Sequence, residues 1–134
     1  MRTFPLVIVT PDGEKYQGTA ESLLVRTGSG DLEIMAGHSP CLCSVATGRA
    51  RVRFQDGEER FASASGGFLS VKGGAVELIA TTFEWADEID LVRAEMAKKK
   101  ATDTLASQLD ERAHLLAKAK LERALCRIDV ASYK

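Results

Sequence analysis

The chain has 134 residues, with 18 lysines plus arginines against 19 aspartates plus glutamates, for a formal net charge of −1. That balance excludes a global basic field of the kind that binds nucleic acid or anionic lipid. No apolar run approaches the roughly 20 residues of a membrane span, and the first residues enter a strand pattern without the basic and apolar segments of a signal or transit peptide.

From the N-terminus, Leu6–Val9 reads as a buried strand closed by the turn Pro11-Asp12-Gly13. Glu14–Gln17 returns as its hairpin partner, and Ala20–Arg26 is the next strand, ending at Gly28-Ser29-Gly30-Asp31. Leu32–Met35 and Cys41–Val45 are short strands on either side of the loop Ala36–Pro40. The clearest alternation comes next, with Ala50, Val52 and Phe54 on one face and Arg49, Arg51 and Arg53 on the other. The arginine face is read as solvent-exposed. Arg60–Ser65, Phe68–Lys72 and Ala75–Thr81 complete the pattern, with a bend at Gly66-Gly67 and a hairpin at Gly73-Gly74. About ten short strands with frequent turn signals predict an antiparallel β-sandwich or barrel.

The seam lies at Glu84–Ala94, and Trp85 within it is expected to pack under the helical part of the chain. Beyond the seam there is no glycine or proline, and the apolar period lengthens to that of a helix. Asp87 is the expected N-cap of a first helix whose stripe is Ala94, Ala97, Ala101 and Leu105. The helix should stop near Ser107-Gln108, and Asp110 should cap a second, striped by Ala113, Ala117, Leu121, Ala124 and Ile128. The fold class is therefore α+β, with a sandwich over 1–86 and an antiparallel αα-hairpin over 87–134. A buried methyl contributes about 0.8 kcal/mol against roughly 1.5–3 for a leucine. An alanine-striped hairpin thus combines strong helices with weak attachment, which suits an arm that moves as a rigid piece. Residues 111–134 carry six basic against three acidic side chains, which favours an acidic partner or ligand there.

The three cysteines, Cys41, Cys43 and Cys126, make a poor disulfide framework and read as reduced thiols in a cytosolic setting. Cys41 and Cys43 alternate with Leu42 as strand residues do, so a metal site with His38 is not expected. No GxxxxGK[ST] loop is present, and His38 and His114 lie in different halves without a serine or cysteine relay, so no catalytic site is read. His114 is placed on the surface.

Three stretches carry a family resemblance: Gly30-Asp31-Leu32-Glu33-Ile34-Met35-Ala36-Gly37-His38-Ser39-Pro40, Ser65-Gly66-Gly67-Phe68-Leu69 with Val71, and Ile89-Asp90-Leu91-Val92-Arg93-Ala94. In this order they resemble the ε subunit of bacterial F-type ATP synthase over essentially the whole chain. That family usually has glycine where Glu33 stands and proline where Ala36 stands. The resemblance implies a non-catalytic central-stalk subunit, peripheral on the cytoplasmic face of the bacterial membrane and touching it only through the complex. Its implied partners are the γ subunit, the ring of c subunits and the catalytic β subunits, the last through the basic final helix; nucleic acid is not among them. Asp31, Glu33, Gly37 and His38 match the region facing the ring. The helical arm is implied to block ATP hydrolysis when extended and to permit turnover when folded.

No cofactor is required, but some bacterial members bind regulatory ATP on the folded hairpin, at a motif matching Ile89-Asp90 and Arg93-Ala94. Arg123 and Arg127, one helical turn apart, suit phosphate oxygens bidentately, and Asp90 and Glu84 can accept hydrogen bonds from adenine or ribose. The plain alternative is a local Asp90–Arg93 ion pair with solvated arginines. Two other functions compete: a free-standing nucleotide sensor using the same arginines, and, ranked far lower, a small β-sandwich enzyme.

Overall fold

A computed structural model describes residues 2–107 and 110–133. Eight strands precede two helices: β1 Phe4–Thr10, β2 Gly13–Ala20, β3 Ser22–Thr27, β4 Gly30–Met35, β5 Cys41–Ser44, β6 Gly48–Arg53, β7 Glu59–Lys72 and β8 Ala75–Trp85. A single 3₁₀ turn, Ala86–Glu88, leads to α1 (Leu91–Ser107) and then α2 (Glu111–Ala131).

The strand count is eight rather than about ten because the two segments flanking Gly66-Gly67 are one 14-residue strand, β7. Its ladder with β8 keeps register from Ala62↔Trp85 through Gly67↔Ala80 to Lys72↔Ala75. The glycines bend the strand without breaking it: φ is +65° at Gly66 and +117° at Gly67, values that L side chains rarely adopt. A Cβ at Gly67 would lie 1.9 Å from the carbonyl oxygen of Ile79, so the two backbones meet where no side chain fits.

This bend makes the sandwich. The C-terminal half of β7 joins β5 on one side and the first half of β8, then β1 and β2, on the other. Its N-terminal half joins the end of β8 and passes the ladder on through β6 and β3 to β4. β7 and β8 therefore run through both layers. One pairing departs from the antiparallel expectation: β1 lies parallel to β8, Leu6↔Val76 through Val9↔Ile79. Six strands separate the two in sequence, ample chain for the long connection that parallel neighbours need.

Alternating residues fill the space between the layers, with Leu6, Ile8, Leu23, Val25, Ile34, Val52, Leu69, Leu78 and Phe83 all essentially inaccessible. Cys41 and Cys43 are half-buried and pack against this core as expected of strand thiols. Trp85 belongs to the same core, edge-on to Phe83 and Tyr16. It is covered by the Arg60 guanidinium, 4.0 Å from its ring centroid, rather than by the hairpin.

Asp87 does not cap α1. It sits in the 3₁₀ turn, and the Asp90 carboxylate accepts from the Arg93 amide at 3.1 Å instead. Asp110 caps α2 as expected, accepting from the Arg112 amide at 3.2 Å. Gln108, where the first helix was expected to fail, lies outside the described residues.

Replacing Gly67 with alanine tests the bend. Urea unfolding of Gly67→Ala is expected to show a loss of about 3 kcal/mol or more, from positive φ and backbone collision together. A loss under about 1 kcal/mol would mean that the two backbones separate easily.

The arm contact and the candidate nucleotide cleft

Between the helices, Ala94 and Ala101 of α1 and Ala117 and Ala124 of α2 are buried, while Leu105, Ala113, Leu121 and Ile128 are half-buried. Ala97, a predicted member of the stripe, is exposed because it borders two open spaces, the cleft against the sandwich and the groove between the helices.

The hairpin reaches the sandwich chiefly through the end of α2, which meets β6, β7 and the 3₁₀ turn. Val130 and Ala131 form a small apolar cluster with Ala86 and Ile89, bordered by Phe61 and Cys126. Beyond it, Tyr133 stacks on Phe61 with ring centroids 4.4 Å apart. Arg49 lies over both rings and donates to the Tyr133 hydroxyl. Ser63 Oγ donates to Cys126 Sγ at 3.3 Å, and the Arg127 guanidinium pairs with the Glu84 carboxylate.

These contacts correct the reading of the arginine face. Arg51 pairs with Glu33 and, at 3.2 Å, with Glu59; Arg53 lies 3.7 Å from Glu59; Arg49 holds the arm. All three are half-buried and engaged within the chain.

Of the five proposed nucleotide residues, Glu84, Asp90, Arg93 and Arg127 line one cleft of about 480 Å³. Its other walls are Thr10, Asp12 and Lys15 of the β1–β2 hairpin, Thr82 and Phe83 of β8, Glu88, and Ala94 and Ala97 of α1. Arg123 lies next door, in a groove of about 380 Å³ between the helices. Arg127 and Ala97 border both spaces. The charges differ sharply: the groove presents Lys100, Lys120, Arg123 and Arg127 with no acid, whereas the cleft mixes three cations with Asp12, Glu84, Glu88 and Asp90. The side-chain ion pair between Asp90 and Arg93, the plain alternative to a nucleotide site, is absent from the described contacts, since the Asp90 carboxylate is turned to the helix cap.

The other predicted group is dispersed by comparison. Asp31 pairs with Arg26 at 2.8 Å, and Glu33 with Arg51 and, at 3.1 Å, Ser22 Oγ. Gly37 (φ +85°) and His38 lie beyond them in the loop, where the His38 amide donates to Met35 at 3.1 Å. His114 is exposed.

The arm contact was not anticipated from sequence. The available signal was that Cys126, Val130 and Tyr133 recur at helical spacing on a face beside the alanine stripe. For Lys15 and its neighbours no signal existed, because only the fold brings the β1–β2 hairpin to the helices.

The chain is thus a β-sandwich that carries a helical hairpin on the outer surface of β6 and β7. Residues 3–86 match the family model described as ATP synthase, Delta/Epsilon chain, beta-sandwich domain, and residues 87–132 match that of the long alpha-helix domain. The chain is 41% identical over 131 residues to the ATP synthase epsilon chain of Bacillus velezensis, covering 98% of each. It is 39% identical to that of Shouchella clausii, covering 100% of this chain and 98% of the relative. Its fold is similar to a chain of the Euglena gracilis mitochondrial ATP synthase OSCP/F1/c-ring structure, with TM-score 0.81 and 23% identity over 95% of this chain and 79% of that one. A chain of the Tetrahymena thermophila central stalk/c-ring structure gives TM-score 0.69 and 16% identity over 95% of each. The protein belongs to the delta/epsilon family of ATP synthase subunits and is of the epsilon type.

The arm contact can be probed through Cys126 and Tyr133. Burial holds the Cys126 thiol above its ordinary pKa, with the Ser63 hydrogen bond opposing. A raised pKa means that docking loses stability as pH climbs through the thiol range, and that the loss is absent below it. Thiolate absorbance should therefore place Cys126 above an unstructured cysteine, and an ordinary titration would contradict its burial. Tyr133→Ala removes a stacked pair and a cation–π contact, about 1–2 kcal/mol together. With Cys41 and Cys43 replaced by serine, it should speed thiol labelling of Cys126 by about five- to thirtyfold.

Proposed function

We propose that this chain is the regulatory form of the stalk subunit: its folded arm permits turnover, its released arm blocks ATP hydrolysis, and ATP in the cleft and groove favours the folded state. The observation that carries this is the confinement of the arm's attachment to the last two turns of α2 and the cleft beside them. A buried valine contributes about 1.5–3 kcal/mol and an alanine about 0.8, so the attachment is of the size that a ligand can rival. ATP present at about 100 times its Kd adds about 2.7 kcal/mol to whichever state binds it.

The divided charge supports a divided pose. The acid-free groove with Arg123 and Arg127 suits the triphosphate, since guanidinium forks bind phosphate oxygens bidentately. The adjoining cleft, with Glu84 and Asp90, suits the hydrogen-bond donors of adenine and ribose. Arg127 borders both and stands at their junction.

The subunit itself has no catalytic site in this reading. It rests on the cytoplasmic face of the bacterial membrane through the complex, and no described helix is long and apolar enough to cross a bilayer. The outer face of the β5–β7–β8–β1 layer presents Leu42 at 72% exposure, Phe68 at 54% and Ile79 at 44%, an apolar surface suited to γ. The loop with Gly37 and His38 is assigned to the c ring. Because Asp31 and Glu33 are engaged by Arg26 and Arg51, they shape that end of the sandwich rather than offer free charge. The basic groove face of the helices suits the acidic surface of the catalytic β subunits when the arm is extended.

Added to a catalytic head lacking this subunit, the full chain should inhibit hydrolysis, and a chain ending at Asp87 should bind without inhibiting. Equal inhibition by both would remove the arm from the mechanism. Calorimetry should detect ATP binding to the intact chain and at least a tenfold loss in Arg123→Ala with Arg127→Ala, at about 1.4 kcal/mol per tenfold. Unchanged affinity would displace the ligand from this site.

A further inference from the structure

The cleft is not part of the hairpin alone: one of its walls belongs to the sandwich. Each of its four acids except Asp12 is engaged. Glu84 pairs with Arg127, Glu88 accepts from the Trp85 amide at 3.0 Å, and Asp90 caps α1. Asp12 is exposed at the turn. Among the cations, Arg127 is paired, but Lys15 and Arg93 form no ion pair among the described residues. Lys15 is half-buried on β2, and Arg93 is exposed on α1.

Two cations without an ion-pair partner among the described residues thus line one space from two bodies, one on the sandwich and one on the arm. We infer that Lys15 is a second sandwich-side ligand, beside Glu84 of β8, for the nucleotide's ribose oxygens, so that it strengthens the nucleotide's bridge between the two bodies. This rests on the proposed ATP site and assigns its regulation to a particular contact. A nucleotide held by α1, α2 and Glu84 would have a single anchor on the sandwich. Contact with Lys15 exists only while the arm is docked, so its interaction energy adds entirely to the docked state, as linkage requires. The four-carbon stem and three rotatable donors of lysine suit a contact that must adapt as the arm settles. The β1–β2 hairpin thereby gains a purpose beyond forming one edge of the sheet.

The test compares the full-length chain with Lys15→Gln and Lys15→Arg. ATP and adenosine are titrated by calorimetry, and ATP-dependent protection of Cys126 from thiol labelling is measured in the serine background at Cys41 and Cys43. Lys15→Gln should weaken ATP binding by about tenfold, the effect of losing one charge-assisted hydrogen bond. It should reduce the protection that ATP gives Cys126 in proportion, while labelling without ATP stays unchanged. Lys15→Arg should restore much of both. If the unaltered chain binds no ATP, the functional reading falls and this inference with it. If the unaltered chain binds ATP and Lys15→Gln binds it equally well, the nucleotide site stands and the Lys15 contact is overturned. The Lys15 contact is likewise overturned if Lys15→Gln speeds labelling without ATP as much as with it, since Lys15 would then support docking itself rather than touch ligand.

Discussion

The contact between the last turns of α2 and the outer surface of β6 and β7 is the constraint on which the rest depends. Val130 and Ala131 supply a small apolar seat, Tyr133 stacks on Phe61 beneath Arg49, and Cys126 and Arg127 reach Ser63 and Glu84. Everything else in the hairpin hangs from this end. α1 packs on α2 through alanine methyl groups, and the cleft between α1 and the sandwich stays open. An attachment so concentrated is either made or broken as a unit, which is how a rigid arm acquires two discrete positions instead of a range of loose ones.

The sandwich has the opposite character. Its two long strands, β7 and β8, run through both layers, and the bend at Gly66-Gly67 transfers the ladder from one layer to the other without loss of register. Its core is large aliphatic and aromatic side chains, whereas the arm's is methyl groups. This contrast assigns the static task to one body and the switching task to the other. It also explains why the arginines of β6 are partly spent within the chain. Arg51 and Arg53 brace the sheet against Glu33 and Glu59, while Arg49 alone is turned to the arm.

Much of this was legible beforehand, for physical reasons that can be named. The alternation through Arg49–Phe54 reports a strand with one covered face, and the loss of glycine and proline after the seam reports the change to helix. Glu84, Asp90 and Arg93 share a cleft because the seam already places them near one another, and Arg127 joins them once α2 folds back along α1. Three things were not legible. A glycine pair reads as a break in a strand, yet here it is a bend in an unbroken ladder, because a close approach between two backbones demands the missing Cβ. The parallel neighbour of β1 depends on where the first and last strands of the sandwich meet, which no local pattern encodes. The arm's seat joins Phe61 and Arg49 to Tyr133 across the length of the chain, and an alternating arginine face looks solvated until its partner is in place.

Native-state hydrogen exchange in low denaturant, on the intact ligand-free chain, tests the central claim most directly. If the arm is held by one small contact, the amides around Ala124–Val130 of α2 become exchangeable in an opening that costs several kcal/mol less than the opening of β7 and β8, with less denaturant dependence. If the amides of α2 and of β7 open together, with one free energy and one denaturant slope, the arm leaves the sandwich only when the sandwich unfolds, and the two-body account is contradicted.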